Sequence, residues 1–250
     1  MDTVKLDKPQ GYVNSFPKSG RTWVRYTLAQ YFKVLNKIDM EIGFHTLGKV
    51  FSDVGALSRE REYDVFPNIV FSHDHPLHIQ NEVPNIMIVR NVLDVMTSLY
   101  YHYDKSKNYT GQMFNTIMTS KEFIDSYVEY MTKWFSDPRV TTYPIHYDRL
   151  HDPDEWCRLV EHLGFVAHVD IMIDAMSLSN FERMQEDELA NPQIMENWSS
   201  NPNHMRVRKG KIGGWKDEMT QNQANQLLDR ITQKLPDEVI NVLKVYRALP

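Results

Sequence analysis

The sequence predicts a three-layer α/β/α domain around a central, mainly parallel sheet. Short runs rich in Val, Ile and aromatics alternate with segments of helical periodicity, the pattern of parallel β-α units. A chain of 250 residues can bury the core that one such domain needs, so residues 1–250 are expected to form a single domain. No internal repeat or low-complexity tract interrupts the alternation.

Taken in order, the strand candidates are Tyr12–Phe16, Ile69–His73, Asn85–Arg90 and Val140–Ile145. Val24, Leu28, Tyr31 and Leu35 share one face at helical spacing just after the first strand and its loop. Asn91 is a candidate cap for a second helix, with Asp94 at its third position and Val95, Leu99 and His102 along one side. Ile124, Tyr127, Val128, Met131 and Phe135 define a strongly amphipathic third helix. Asp152-Pro153-Asp154-Glu155 combines an N-cap with Pro in the first turn, opening a helix with Trp156, Leu159, Val160 and Leu163 on one face. Gly164 is positioned to end it. Thr220 and Gln223 form a capping-box pattern ahead of Leu227, Leu228 and Ile231. Residues 177–214 show weak periodicity until the basic run Arg206–Lys211, which reads as a mobile surface segment.

Composition narrows the function classes. The hydrophobic fraction of 42% and charged fraction of 24% are those of an ordinary globular chain. A formal charge of −5 argues against nucleic acid as the main partner, because a phosphate backbone is gripped by clustered positive charge. An anionic ligand must therefore meet a local cluster of Lys and Arg. Cys157 is the single cysteine, so no internal disulfide forms, and nothing beside it suggests thiolate activation. No apolar run reaches the length of a membrane span and the first ten residues lack a secretory core, so a soluble, cytoplasmic protein is expected.

Three segments carry the basic residues of two candidate anion sites, the first in the turn from Pro17 to Trp23 and the second in Arg90, Ser98 and Arg208 to Gly210. Phe16 to Trp23 lies between a strand and a helix, where backbone N–H groups and the positive helix end face the turn. Gly20 permits close approach, Ser19 and Thr22 add donors, and Lys18 adds a point charge. The spacing of a nucleotide P-loop is absent, since Lys18 precedes the turn's only glycine. Alone, the segment is equally an ordinary strand-to-helix turn. Arg90 ends an apolar strand candidate at the end where α/β sheets bind ligands, with Ser98 two turns into the next helix. An arginine there is also a common surface ion-pair residue. Arg208 to Lys216 is the most basic stretch, which by itself reads as a solvated loop.

A family resemblance connects these elements. Pro17-Lys18-Ser19-Gly20-Arg21-Thr22-Trp23 resembles the PKSGTTW loop of the cytosolic-type sulfotransferases, which use 3′-phosphoadenosine-5′-phosphosulfate (PAPS) and release PAP. The resemblance implies a P-loop-like sulfotransferase fold. It assigns Lys18, Ser19, Gly20 and Thr22 to the 5′-phosphate and sulfuryl oxygens, and Trp23 to the adenine. Arg21 replaces the commonest Thr, and either strengthens anion binding or reaches solvent. Arg90-Asn91, Asp94, Ser98 and Tyr100-Tyr101-His102 are similar to the family's R-N-x-x-D-x-x-x-S-x-Y-Y-H segment, whose Arg and Ser hold the 3′-phosphate. Arg208-Lys209-Gly210 with Gly213, Trp215 and Lys216 resembles the R-K-G-x-x-G-x-W-K motif that closes over the same phosphate, with Gly214 in place of Asp or Asn. Tyr147 matches the tyrosine of a Y-E-D-L-type segment that contacts adenine.

The reacting centre is expected in Phe71-Ser72-His73-Asp74-His75-Pro76, which resembles the family's K-T-H-x-P. Sulfuryl transfer requires in-line positioning, charge stabilisation and removal of the acceptor's proton, and histidine suits the last. His73 is the preferred base and Lys18 the group that stabilises the leaving phosphate. His75 shares its face in extended chain and stays open as the second candidate. Phe71 stands where the family often has a second lysine, a charge that Arg21 either replaces or leaves missing. His45, His78 and His168 read as structural or surface residues.

No metal-ligand spacing occurs, and the family requires no metal. The acceptor is expected to be a small molecule, a phenol, alcohol or sugar, in a pocket drawn from residues 36–66, 73–78 and 177–205. Phe44, Phe51, Tyr63 and Phe66 lie there, although core packing also explains them. A recognisable dimer motif is absent, leaving the oligomeric state open. The alternatives are a nucleotide kinase-like phosphotransferase and a PAP-binding protein without turnover.

Overall fold

The computed structural model describes residues 9–53, 64–76, 82–107, 112–191 and 205–249. Five parallel strands form one sheet: β1 (Gly11–Ser15), β2 (Ser52–Asp53), β3 (Ile69–Ser72), β4 (Asn85–Val89) and β5 (Tyr143–His146). Their spatial order is β2-β3-β1-β4-β5. Every residue of β1, β3 and β4 is buried, as expected for strands covered on both faces. The four long strand candidates are present within a few residues of their expected bounds. The two-residue β2 was too short to show a pattern.

Helices cover both faces. The chain leaves β1 through α1 (Arg21–Leu35) and α2 (Phe44–Val50) and returns at β3, beside β1. It then passes to β4, on the other side of β1, and continues through α3 (Val92–Lys107), α4 (Met113–Thr119) and α5 (Ile124–Phe135) to β5. Two apolar clusters result. One joins Val13, Val24, Leu28, Phe71 and Trp156, and the other joins Met87, Val89, Leu99, Tyr127 and Trp134. The change of direction between β1 and β4 opens a crevice at their carboxyl ends, where such sheets bind ligands.

The capping signals act as their chemistry requires. Asn91 accepts from the N–H of Leu93 at 3.0 Å, and Asp152 accepts from Asp154 at the start of α6 (Pro153–His162). Gly164, at φ 87°, closes α6 with bonds from Gly164 N–H to the Glu161 carbonyl and from Phe165 N–H to the Val160 carbonyl, a Schellman motif. Thr220 and Gln223 form the capping box of α9 (Gln221–Thr232), which precedes α10 (Asp237–Val245).

The reading of residues 177–214 as a mobile surface segment is corrected in its first part. The chain forms α7 (Val169–Leu178) and α8 (Phe181–Ala190), and Asn180 caps α8 by accepting from Arg183. Ser179 between them is fully buried, sharing a 2.7 Å hydrogen bond with Thr27 of α1. The periodicity is weak because α8 is polar over most of its surface and anchors through Met184, Asp187 and Glu188. Residues 192–204 lie outside the described residues, as do Tyr63 and His78.

Ile88, fully buried in β4 between the two helical layers, reports on this core. Ile88→Ala should lower stability by about 2–5 kcal/mol, read as a drop in the urea midpoint without a change in slope.

Candidate active site

The turn after β1 is shaped by two residues in left-handed backbone. Lys18 has φ 68° and Gly20 φ 106°. A Cβ on Gly20 would stand 2.4 Å from Cδ2 of Tyr147, so glycine is needed both for the backbone angle and for the ring beneath it. Ser19 is fully buried, and its hydroxyl has no hydrogen-bond partner among the described residues. Such a group costs about 1–3 kcal/mol unless an acceptor reaches it. Gly20 stands immediately before α1, whose first turn carries Arg21, Thr22 and Trp23, all partly buried.

Arg90 connects this turn to the rest of the crevice. Its guanidinium donates to the Lys18 carbonyl at 3.1 Å and to the Lys211 carbonyl at 3.4 Å. It also lies over the Tyr147 ring, 4.3 Å from the centroid, while its Nε is buried without a partner. Trp23 meets the same tyrosine edge-on at 5.4 Å and extends the aromatic cluster to His151 and Trp156. Burial raises the pKa of the Tyr147 phenol, against an opposing pull from Arg90.

The basic strap around Arg208 is held by carboxylates from three places. Asp94, in the first turn of α3, accepts from Gly213 N–H at 2.8 Å and from Trp215 N–H at 2.9 Å. Glu188, buried on α8, accepts from the N–H groups of Arg206 and Val207. Glu218 accepts from Arg208 at 3.0 Å, from Lys209 at 2.6 Å and from the Tyr101 hydroxyl at 2.8 Å. Arg208 stacks on Tyr101, 4.3 Å from the ring centroid. Gly210, at φ 58°, passes so close to Phe181 that a Cβ would stand 2.4 Å from the ring. Ser98 is partly buried and, at helical spacing, shares the α3 face of Asp94 and Tyr101 that the strap covers.

The two histidines after β3 face different surroundings. His73 Nδ1 lies 2.7 Å from the Ser15 carbonyl, to which it donates, leaving the lone pair on Nε2. Burial, together with the charges of Arg21 and Lys18, holds the His73 imidazole well below its ordinary 6.5 despite that bond. The charge of Arg21 acts on both His73 and the buried Tyr130. His75 turns toward α5, with Nε2 at 3.8 Å from Glu129 and its ring 6.0 Å from that of Tyr130. Phe71 points into the core, 5.3 Å from Phe51 and beside Arg25, rather than into the crevice.

Lys18, Ser19, Gly20, Trp23, Arg90 and Tyr147 thus meet in one crevice, and Arg90 joins them to the strap carrying Arg208, Lys209 and Gly210. Phe44, Phe51 and Phe66 are buried in the core. A groove of about 310 Å³ lined by Gln10, Phe32, Leu35, Asp64 and Val65 lies at the opposite, amino-terminal end of the strands. The roles of Glu188, Glu218 and Tyr101 were absent from the sequence reading. An acidic pair directly after a basic run was the available signal for Glu218.

Comparison with known proteins accords with this geometry. A family described as "Sulfotransferase domain" matches residues 8–238. Rat sulfotransferase 2A1 is 23% identical over 182 residues, covering 67% of this chain and 63% of the rat protein. Mouse sulfotransferase 2A1 is 21% identical over 248 residues, covering 88% and 81%. The structure of mouse sulfotransferase SULT7A1 complexed with PAP superposes with a TM-score of 0.66 at 16% identity, covering 96% of this chain and 88% of that one. Retinol dehydratase in complex with androsterone and PAP gives 0.65 at 16%, covering 93% and 82%. The chain belongs to the sulfotransferase family, and its fold is the α/β fold of those neighbours.

No group of three or more His, Cys, Asp or Glu side chains among the described residues has the spacing of a metal site. No helix among them is long and apolar enough to cross a membrane.

Gly20→Ala should lower stability by about 1–3 kcal/mol through the left-handed backbone and the Tyr147 contact. Thermal unfolding checks this, with Gly164→Ala, where the site beyond the α-carbon is open, as the comparison for backbone strain alone.

Proposed function

We propose that this chain transfers a sulfuryl group from PAPS to a hydroxyl or amine of a small acceptor, acting as one domain over residues 1–250. The observation that carries the reading is Arg90: one guanidinium bonds both the Lys18 turn and the Lys211 strap while lying over Tyr147. A ligand with anionic groups at two positions and an aromatic ring between them fits that arrangement. PAP is such a molecule, and the neighbouring structures were solved with it. The unpartnered Ser19 hydroxyl and the Nε atoms of Arg90 and Arg208 are donors suited to its oxygens.

In this reading Lys18, Ser19, Gly20, Arg21 and Thr22 take the 5′-phosphosulfate, and Trp23 and Tyr147 flank the adenine. Arg90, Ser98, Arg208, Lys209 and Gly210 take the 3′-phosphate. The donor supplies an electron-poor sulfuryl group, so the protein's work is positioning and charge management. His73 is the base: its Nδ1–H is committed to the Ser15 carbonyl, so Nε2 accepts the acceptor's proton. Lys18 stabilises the charge that builds on the departing 5′-phosphate. Arg21 adds to the burial that lowers the His73 pKa and supplies positive charge near the sulfuryl oxygens, partly replacing the lysine for which Phe71 substitutes. Neutral phenols and alcohols fit a base of this kind, while sugars satisfy the same proton chemistry. A cytoplasmic setting agrees with the single cysteine, whose thiol pKa is raised by burial and by Asp154, Glu161 and Asp152.

Transfer from labelled PAPS to a panel of phenols, alcohols and sugars tests the function. Activity in the wild type, lost by about a hundredfold or more in His73→Ala and largely kept in His75→Ala, is the expected result. The reverse pattern would move the base to His75, and tight PAP binding without transfer to any acceptor would leave only a binding role.

The pH dependence follows from the lowered His73 pKa. Folded chain binds fewer protons at His73 than unfolded chain between its lowered value and 6.5, so this contribution is intact above 6.5 and stability is lost as pH falls. The acidic limb of kcat/KM should accordingly lie below pH 6.5. Arg21→Gln removes one cause of the lowering and should move that limb to higher pH.

A further inference from the structure

The cations assigned to the 3′-phosphate already hold an anion supplied by the chain. One oxygen of Glu218 accepts from both Arg208 (3.0 Å) and Lys209 (2.6 Å), and the other accepts from the Tyr101 hydroxyl (2.8 Å). The grip is partly desolvated: the Arg208 and Glu218 side chains are 9% and 14% exposed. Burial pushes the Glu218 carboxyl up, but the bonds from Lys209, Tyr101 and Arg208 outweigh it and hold the pKa below its ordinary value. Arg208 also keeps a buried Nε without a partner, so its donor set is larger than the carboxylate uses. Asp217, next in sequence, is more exposed and pairs mainly with Lys211 at 3.1 Å, reaching Lys209 only at 3.6 Å.

We propose that Glu218 is an internal stand-in for the nucleotide's 3′-phosphate, occupying Arg208, Lys209 and Tyr101 until a 3′-phosphate exchanges with it. The inference rests on the donor reading above. A phosphate brings three acceptor oxygens and nearly two charges against the carboxylate's two oxygens and one charge, so it wins the exchange while losing part of its affinity to it. Glu218 meanwhile holds two like charges and the strap in binding geometry, which limits the ordering needed when the nucleotide arrives. It thereby sets how strongly the chain selects a nucleotide carrying a 3′-phosphate over one without it. This is a specificity role for a side chain that touches the ligand's own partners rather than the ligand.

The test is calorimetric titration of the full chain with PAP and with adenosine 5′-phosphosulfate, which lacks the 3′-phosphate. Wild type, Glu218→Gln and Asp217→Asn are compared, and unchanged thermal unfolding midpoints establish that the variants fold. Glu218→Gln keeps an acceptor for the strap but removes the competing charge. It should tighten PAP roughly tenfold, the scale of one close, partly buried charge pair. Adenosine 5′-phosphosulfate should change by less than about twofold in the same variant, and Asp217→Asn should move neither ligand by more than about twofold, because its charge is exposed and screened.

Weaker PAP binding in Glu218→Gln would overturn the proposal and make the residue a scaffold for the strap. Equal gains in both variants would overturn it as well, reducing the effect to net charge. If wild type prefers PAP but Glu218→Gln gains nothing, the donor reading stands and the proposal fails. If no variant distinguishes PAP from adenosine 5′-phosphosulfate, both fail.

Discussion

The contact of the Arg90 guanidinium with two backbone carbonyls and one aromatic face is the constraint on which the site depends. Lys18 and Lys211 are far apart in sequence, and each belongs to a loop that alone would be an ordinary basic turn. Arg90 bonds the carbonyl of both and lies against Tyr147, whose ring in turn fills the space a side chain at position 20 would need. Arginine can do this because its planar fork supplies several donors in fixed directions. Its location at the end of β4, where the chain reverses its order across β1, is what lets one side chain reach both loops.

Electrostatics explains how an acidic chain builds an anion site. The formal charge is −5, yet Arg90 bonds both the Lys18 turn and the Lys211 strap, and that strap carries Arg208 and Lys209. Acidic residues shape that concentration in two ways. Asp94 and Glu188 spend their oxygens on backbone N–H groups and so fix the path of the strap without neutralising its side chains. Glu218 bonds the side chains themselves and competes with whatever they bind. Burial first, and then the charges of Arg21 and Lys18, lower the His73 pKa and so favour the neutral imidazole.

Much of this was legible in the sequence because it is written locally. A strand-length apolar run, a glycine in the following turn and a helical period after it define β1, the Lys18 turn and α1 without reference to any other segment. The caps at Asn91, Asp152 and Thr220 are local for the same reason. Asp94 was legible as a favourable charge in the first turn of α3 and as a motif position, but its bonding partner Gly213, which lies 119 residues away, was not. Helix α8 escaped notice because a few anchors, not a continuous apolar stripe, hold it, and β2 because two residues carry no periodicity. The sequence favoured His73 but left His75 open, because the two share a face in extended chain. The bend after Ser72 separates them, sending His73 toward Ser15 and His75 toward Glu129. Phe71 looked like a defect in the reacting centre, and its ring instead completes the core beside Phe51.

The central claim is that one nucleotide with phosphates at both positions spans the two loops that Arg90 joins. Calorimetric titration of PAP into wild type and Arg90→Ala, with ATP as the control, tests it most directly. Tight, enthalpy-driven PAP binding to wild type is expected, with weak ATP binding and a loss of PAP affinity of about a hundredfold in the variant, the scale of removing a partly buried arginine partner of phosphate. Equal affinity for PAP and ATP, or PAP binding indifferent to Arg90→Ala, would contradict it.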